Sequence, residues 1–212
     1  MPTDRRRLLE SAALIPLLSV PPAFAAGLPS TLAPTPAQTP SPFYPRSFPA
    51  DSDADLLHVA GHNRAAQGVA TEIAGKILDT AGHPVRGARV EIWQCDANGH
   101  YHYVGDDEGR RPLDRDFQGY GTAVTDGDGG YRFLTIRPVP YPGRTPHIHF
   151  AVAAPGFARL VTQMYVAGER LNERDPVLAD IRDPAARARV IVPLRPMSGP
   201  VALAGTFDIV LA

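Results

Sequence analysis

The alternation of hydrophobic and polar residues predicts short β-strands throughout the chain beyond residue 70. It is clearest over residues 89–94, where polar and apolar side chains alternate as in a strand with one buried face. The pattern predicts strands at residues 71–78, 89–94, 131–134, 147–153, 160–166, 190–194 and 206–211. Short strands at fairly regular spacing, with turns between them, are typical of two packed sheets. We therefore expect an all-β sandwich.

The segments between the strands are predicted to be turns, with one short helix. The Asp-Gly-Asp-Gly-Gly sequence at residues 126–130 is the strongest turn signal. Asp126 and Asp128 could also suggest a calcium site, but the later ligands of a helix-loop-helix site are missing. A helix is expected within residues 175–189, which contain good helix formers. Residues 51–70 could form either a short helix or a loop.

The N-terminal residues have the pattern of an export signal. Three arginines at residues 5–7 precede an apolar run at residues 12–20, and Ala23-Phe24-Ala25 is a small-x-small cleavage sequence. We interpret residues 1–25 as a signal peptide. Its arginine pair and the leucines after it are similar to a twin-arginine signal, with a general secretory signal as the alternative. The apolar run is too short for a membrane anchor, so a periplasmic or secreted protein is expected.

Residues 26–70 are predicted to be a proline-rich linker or a surface arm, and residues 71–212 the folded domain. The first half of that segment is rich in Pro, Ala, Thr and Ser and poor in apolar anchors. Its prolines are Pro29, Pro34, Pro36, Pro40, Pro42, Pro45 and Pro49.

Composition and charge narrow the functional classes. The formal net charge is −1, which gives no electrostatic reason to expect nucleic acid or an anionic membrane as partner. The chain has one cysteine, Cys95, so an internal disulfide is excluded and a cysteine-based metal site lacks partners. Cys95 lies in an apolar stretch and is predicted to be a small buried side chain.

Two histidines in a predicted strand are the first candidates for chemistry. Side chains alternate between the faces of a strand, so His147 and His149 would point the same way and Ile148 into the core. Two imidazoles at this spacing can bind one metal ion. Two buried histidines with ordinary hydrogen-bond partners are the alternative.

A tyrosine just before these histidines adds a second type of donor. Tyr141 lies between Pro140 and Pro142, which restrict its backbone and would preorganise the phenol. A phenol has a pKa near 10, but a bound trivalent cation would remove its proton. Phenolate and imidazole without thiolate suit oxidised iron better than zinc or copper(I).

Several segments together resemble the intradiol ring-cleavage dioxygenases, most closely the protocatechuate 3,4-dioxygenase type. The similarity runs from about residue 71 to residue 175, and its motifs occur in the family's order. They lie at residues 91–101, 112–119, 125–133, 140–142, 144–150 and 162–165. The resemblance implies a β-sandwich of mixed topology, similar to prealbumin.

The resemblance also implies a cofactor and its ligands. Tyr101 and Tyr141 would bind ferric iron, Fe(3+), as tyrosinates, Tyr101 in the equatorial position and Tyr141 in the axial one. His147 would be the axial imidazole and His149 the equatorial one. Tyr141 would leave the metal when substrate binds.

The implied reaction is the opening of a catechol ring between its two hydroxylated carbons. A catechol and O2 would be the substrates, and a muconate-type diacid the product. Arg144 matches the family arginine that stabilises charge on the bound ring. Gln163 falls, with slightly shifted spacing, where the family has a pocket glutamine. A member that keeps iron but has lost turnover remains an alternative.

Neighbouring residues offer weaker candidates. Tyr103 would share the face of Tyr101 in a strand and is the rival for the tyrosine ligand. His100 and His102 would point away from Tyr101 and are expected at the surface or beside the ligands, not on the metal. Trp93 is expected in the core.

A second resemblance belongs to a different functional class. Residues 77–90 followed by residues 125–131 are also similar to transthyretin-like and carboxypeptidase-regulatory sandwich modules, which bind partners without iron. Such modules account for the strands and turns. They do not account for the tyrosines, histidines and arginine of the proposed site.

Two departures from the family pattern affect substrate and assembly. Only five residues separate Tyr141 from His147, which predicts a more open pocket and favours bulkier or substituted catechols. The helical N-terminal region of the catechol 1,2-dioxygenase branch is not found, which argues against the dimer of that branch. A homo-oligomer of another kind stays possible.

Overall fold

The computed structural model describes residues 31–102 and 112–212. The predicted signal peptide and Tyr103 therefore lie outside the described residues.

Strands dominate the described part of the chain. They are β1 (Ala70–Asp79), β2 (Arg89–Trp93), β3 (Tyr120–Val124), β4 (Gly130–Ile136), β5 (His147–Ala153), β6 (Leu160–Val166), β7 (Ile191–Val192), β8 (Arg195–Pro196), β9 (Leu203–Thr206) and β10 (Ile209–Leu211). A 3-10 helix (Arg170–Glu173) and two short α-helices, α1 (Pro176–Ala179) and α2 (Pro184–Arg189), lie between β6 and β7. No helix in these parts of the chain is long and apolar enough to cross a membrane.

The strands form two sheets that pack face to face. One sheet has the order β10-β1-β9-β8, with β4 paired to β1, and the other has the order β3-β2-β5-β6-β7. β1 runs parallel to β9 and β10, and β6 runs parallel to β7, whereas the other pairings are antiparallel. Buried side chains from both sheets, such as Ile73, Phe133, Ile92 and Ile148, form one core between them. The predicted all-β sandwich of mixed topology is confirmed.

Several strand predictions need correction. The strand β8 was not predicted, and the strand predicted at residues 190–194 is limited to β7. The strand β3 was not predicted, because its sequence Tyr-Gly-Thr-Ala-Val lacks a clear polar-apolar alternation. A single strand was predicted at residues 206–211. This prediction is wrong, because the strand is broken at residues 207–208, between β9 and β10. At the break the Phe207 carbonyl approaches Gly75 so closely that a Cβ atom there would lie 2.1 Å from its oxygen. The Asp208 carboxylate accepts a hydrogen bond from the Lys76 amide, which replaces the interrupted strand pairing.

The segments between strands differ in detail from the prediction. The single helix expected within residues 175–189 is two helices, which begin at the capping carboxylates of Asp175 and Asp183. Residues 51–70 form turns and isolated bridges that lead into β1. Of the two predicted alternatives, a short helix or a loop, the structure therefore shows the loop. Asp126 accepts hydrogen bonds from the backbone amides two and four residues later, so the predicted turn is confirmed. It joins β3 and β4, which lie in different sheets, and is therefore not a hairpin turn.

Residues 31–50, which we call the arm, lie against the sheet β3-β2-β5-β6-β7, which we call the second sheet. The Thr162 hydroxyl donates to the Pro36 carbonyl, and the Gln38 amide donates to the Val161 carbonyl, so the arm covers the free edge of β6. Farther along, Phe43 and Tyr44 pack on the sheet face that points away from the main core, beside Trp93, Cys95, Tyr101 and Tyr120. This second apolar layer forms the floor of the candidate site.

Candidate functional site

The strand β5 places two histidines side by side. His147 and His149 are both buried and lie on the face of the second sheet that the arm covers, whereas Ile148 between them packs into the main core. Their Nε2 atoms are 3.1 Å apart. Two nitrogens bound to one ion at about 2.1 Å would have a similar separation.

Strand register fixes the surroundings of His149. Trp93 on β2 and Gln163 on β6 are its direct cross-strand neighbours, so the three side chains form a row on one face. The Trp93 indole stacks on the His149 imidazole, with ring centroids 4.9 Å apart and planes 7° apart. This stacking holds the orientation of the imidazole, and Trp93 is buried as predicted.

A tight turn places Tyr101 on the same face of the second sheet as His147 and His149. The Asp96 carboxylate accepts hydrogen bonds from the Asn98 and His100 amides, and Gly99 adopts the left-handed conformation with φ +89°. Tyr101 leaves this turn with only 4% of its surface exposed. Within residues 31–102 and 112–212 its buried hydroxyl makes no hydrogen bond of normal geometry, although the Tyr141 phenol is close enough to add to the rise in its pKa that burial causes. A buried hydroxyl in that state is unfavourable unless something else binds it.

A second turn positions Tyr141 and Arg144 together. In Tyr141-Pro142-Gly143-Arg144 the Arg144 amide donates to the Tyr141 carbonyl at 3.0 Å, and Gly143 has φ +80°, as a type II turn requires. The turn brings the Arg144 Nη1 within 3.2 Å of the Tyr141 hydroxyl, to which it donates. That hydroxyl lies 3.5 Å from Nε2 of His147. Four candidate side chains therefore converge, since the Tyr101 and Tyr141 rings also meet edge to face at 5.6 Å.

Arg144 belongs to a network of hydrogen bonds. Its Nε donates to the Asp175 carboxylate at 2.8 Å, and its Nη2 donates to Oε1 of Gln163 at 2.5 Å. The Tyr165 hydroxyl donates to the same oxygen, and Nε2 of Gln38 in the arm donates to that hydroxyl. The sequence-predicted Arg144 and Gln163 thus contact each other directly, and each is held by a residue that sequence reasoning missed.

Burial sets the protonation of the two histidines. Removal from water, together with the nearby Arg144 charge, lowers the pKa of His147 to about 4. Burial and the neighbouring His147 hold the pKa of His149 well below its usual value. Nδ1 of His147 lies 2.6 Å from the Thr145 carbonyl, which assigns the proton to Nδ1 and leaves the Nε2 lone pair free. Both imidazoles are neutral at pH 7, as metal ligands must be.

Burial acts on the tyrosines in the opposite sense. It raises the pKa of Tyr101 well above 10. It also raises the pKa of Tyr141, although the Arg144 charge opposes that shift. Neither phenol would ionise by itself at neutral pH, so a tyrosinate at either position needs a bound cation.

The donor set fits a hard, oxidised metal ion. Two phenol oxygens and two imidazole nitrogens are available. Among the described residues, the carboxylate that contacts Arg144 is that of Asp175, which already accepts hydrogen bonds from Arg144, Thr145 and Leu178. Residues 31–102 and 112–212 contain no group of three or more His, Cys, Asp or Glu side chains that could hold a metal. Within this part of the chain, the Tyr101 hydroxyl has no hydrogen bond of normal geometry, and the His147 Nε2 atom carries a lone pair that can bind a metal. These phenol and imidazole donors therefore fit ferric iron better than zinc or calcium.

Two neighbouring histidines were expected either at the surface or beside the ligands, and the structure favours the second alternative. His100 and His102 are largely enclosed, with 8% of the His100 residue and 8% of the His102 side chain exposed. The strand assumed for residues 100–102 is a loop. His102 packs edge-on against Phe117 and lies 3.7 Å from the Asp96 carboxylate, so it supports the turn before Tyr101.

The arm supplies site residues that sequence reasoning missed. The Phe43 ring stacks on Tyr101 and meets Tyr141 edge to face. A cavity of about 340 Å³ opens beside these rings. Its walls are Thr39, Pro40, Ser41, Pro42, Phe43, Tyr141, Pro142, Arg144, Gln163 and Val177. The pair Phe43-Tyr44 was the available signal, because large aromatic side chains are unusual in a segment otherwise poor in apolar anchors.

Comparison with known proteins gives relatives of one kind. A family model described as "Dioxygenase" matches residues 39–212. The protocatechuate 3,4-dioxygenase beta chain of Burkholderia cepacia is 43% identical over 148 residues, which cover 66% of this chain and 62% of that protein. Hydroxyquinol 1,2-dioxygenase of Corynebacterium glutamicum is 38% identical over 136 residues, which cover 56% of this chain and 43% of that protein. The chain thus spans less than two thirds of these curated relatives.

Solved structures give the same result. The dioxygenase domain of a dioxygenase carbohydrate-binding protein fusion from Streptomyces sp. SirexAA-E has a TM-score of 0.65 and 32% identity, covering 84% of this chain and 98% of that one. Catechol 1,2-dioxygenase from Acinetobacter sp. ADP1 has a TM-score of 0.63 and 26% identity, covering 84% of this chain and 62% of that one. The family match decides against the regulatory sandwich modules. The chain belongs to the intradiol ring-cleavage dioxygenase family.

Proposed function

We propose that this protein is an iron(III)-dependent intradiol dioxygenase that uses O2 to open a catechol-type ring between its hydroxylated carbons, giving a muconate-type diacid. One observation carries the proposal. Nε2 of His147 lies 3.1 Å from Nε2 of His149 and 3.5 Å from the Tyr141 hydroxyl, and the Tyr101 ring meets the Tyr141 ring edge to face. Protocatechuate, catechol and hydroxyquinol, named in the relatives, are the first substrates to test.

Tyr101, Tyr141, His147 and His149 would hold Fe(3+). When bound there, the ion would supply a Lewis acid and a template for a diol and dioxygen. The side chains are prepared for this role in the absence of any ion, because burial keeps the imidazoles neutral and the turns fix the phenols.

Tyr141 and Arg144 would act on the substrate itself. Tyr141 lines the cavity, and as a tyrosinate it would accept the proton that a catechol hydroxyl releases. The Arg144 guanidinium donates to that oxygen and would stabilise negative charge on the bound ring. Asp175 holds Arg144 in place through its Nε, and Gln163 accepts from its Nη2. The Arg144 charge is therefore positioned before substrate arrives.

The arm would keep water from the site. Phe43 of the arm covers one face of Tyr101, and on the sheet below it Trp93 of β2 covers one face of His149. Exclusion of water strengthens the electrostatic effect of Arg144 on an anionic ring. The arm is thereby part of the active site in this proposal.

The protein would act outside the cytoplasm. The pattern of residues 1–25 supports export by the twin-arginine route, which carries folded proteins and suits an enzyme loaded with metal before export.

The visible spectrum of the iron-loaded protein tests the proposal. Tyrosinate bound to Fe(3+) gives a broad charge-transfer band, and catechol added without oxygen should shift it to longer wavelength. Tyr141→Phe and Tyr101→Phe should each alter the band. Tyr120→Phe, which removes a buried phenol outside the convergent group, should leave it unchanged. A protein that stays colourless after iron(III) loading would overturn the proposal.

A further inference from the structure

We propose that a second cavity, next to the first, binds an uncharged, extended substituent on the catechol. This inference rests on the proposed function and specifies its substrate class. The preferred substrates would be catechols that carry an apolar aryl or alkyl arm, and not catechols that carry a carboxylate at its end.

The second cavity has a volume of about 620 Å³ and lies between the arm and α1. It is lined by Pro36, Ala37, Gln38, Thr39, Pro40, Val177, Asp180 and Ile181. Thr39, Pro40 and Val177 line both cavities, so the two adjoin at these residues. Each volume falls in the range of roughly 300–1,000 Å³ typical of small-molecule sites, and a single catechol ring would leave the second cavity empty.

Hydrogen bonds build the walls of this cavity. Nε2 of Gln38 donates to the Val177 carbonyl at 3.1 Å and to the Tyr165 hydroxyl at 2.8 Å, which ties the arm to α1 and to β6. Oε1 of Gln38 accepts a hydrogen bond from the backbone amide of Gln163 at 3.0 Å. The same glutamine therefore fixes the second cavity and contacts a residue of the first.

The charges around the two cavities select against anionic substituents. Asp180, an exposed carboxylate, is the charged side chain that lines the second cavity. Arg144 is the cation that lines the first, and it already donates to Asp175 and Gln163. A carboxylate on the substituent would meet Asp180, which is the one charged side chain among the described lining residues, and like charges repel. The nearby Arg187 guanidinium is directed at the Ala179 and Ile181 carbonyls, to which it donates. The apolar walls, such as Val177 and Ile181, instead stabilise a neutral group by burial.

Turnover of two extended catechols by the wild-type protein tests the substrate class. One carries a phenylpropyl group and the other a carboxypentyl chain, and unsubstituted catechol is the reference. We expect kcat/KM for the phenylpropyl compound to exceed that for the carboxypentyl compound by about tenfold, the effect of burying a modest apolar area. Calorimetric Kd values measured without oxygen should show the same order.

Two variants and one control variant test the place of binding. Ala37→Trp fills the second cavity and should lower the ratio of kcat/KM for phenylpropyl catechol to that for catechol by about tenfold. Ala33→Trp makes the same change on an exposed arm residue outside both cavities and should leave the ratio unchanged. Asp180→Lys should raise kcat/KM for the carboxypentyl compound about threefold or more, because it replaces a repulsive charge by an attractive one.

The outcomes separate the two proposals. Turnover of catechol with no preference for the phenylpropyl compound, or an equal effect of Ala37→Trp and Ala33→Trp, would overturn the second cavity as a subsite and leave the proposed function standing. Absence of turnover with every catechol would overturn the proposed function and this inference with it.

Discussion

Phe43 stacks face to face on Tyr101, with ring centroids 4.4 Å apart and planes 2° apart. The two residues are far apart in sequence, one in the proline-rich arm and the other after the Asp96 turn. Through this contact the arm covers a candidate iron ligand. A substitution that loosens the arm should therefore also change the site.

Replacement of Phe43 should therefore affect both stability and the metal centre. We expect Phe43→Ala to lower the free energy of unfolding by about 1–3 kcal/mol, because it removes a ring that packs on two tyrosines. It should also change the charge-transfer band of the iron-loaded protein. Phe48→Ala, on the same arm but 54% exposed, is the control. Urea unfolding would contradict the prediction if both variants lost the same stability.

Gln38 should influence catalysis without touching the metal ligands. Gln38→Leu removes the hydrogen-bond partner of the Gln163 backbone amide and of the Tyr165 hydroxyl. These two groups keep the side-chain oxygen of Gln163 in position to accept from Arg144. We expect kcat/KM for catechol to fall about tenfold, as for the loss of a buried hydrogen bond, while the iron content is retained. Gln67→Leu makes the same change at an exposed position. A decrease no larger than that of the control would count against a positioning role for Gln38.

Asp175 should make stability depend on acid. Burial alone would raise the pKa of its carboxyl, but hydrogen bonds from Arg144 and from the Leu178 and Thr145 amides hold the pKa below the usual value. A depressed folded-state pKa gives stability that is present at neutral pH. That stability is lost as the pH falls below about 4 and through the folded-state pKa.

The variant Asp175→Asn tests this dependence. It should lower the free energy of unfolding at pH 7 by about 1–3 kcal/mol, because one amide donor would face the Arg144, Thr145 or Leu178 donors. Its stability should also fall less steeply with acid than that of the wild-type protein. Asp180→Asn, at an exposed position, is the control. Parallel stability profiles of Asp175→Asn and wild type between pH 6 and pH 3 (about the range that carboxyl groups titrate) would refute the assignment.

Export should depend on the arginine pair. Arg5→Lys combined with Arg6→Lys should leave the protein in the cytoplasm, because the twin-arginine pathway recognises the pair and not merely its charge. Arg7→Lys, just beyond the pair, should be exported like the wild-type protein. Cell fractionation with antibody detection is the measurement. Undiminished export of the double variant would favour the general secretory route.

The candidate site was predictable where local sequence alone fixes geometry. The bounds predicted for β5 and β6 are those of the structure, because each is a seven-residue, largely apolar run between turn formers. Alternation in β5 was enough to place His147 and His149 on one face. The sequence Tyr-Pro-Gly-Arg likewise carries its own turn, so the proximity of Tyr141 and Arg144 is a local property.

Tertiary structure decided which distant segments complete the site. Gln38 and Phe43 reach it because the arm pairs with the edge of β6, and the sequence left open whether that segment was a linker or an arm. Trp93 stacks on His149 only because β2 and β5 pair in a particular register. Asp175 contacts Arg144 across 31 positions of the chain. Periodicity and turn chemistry specify the face and the conformation of a segment, whereas its partners depend on packing that minimises exposed apolar surface over the whole chain.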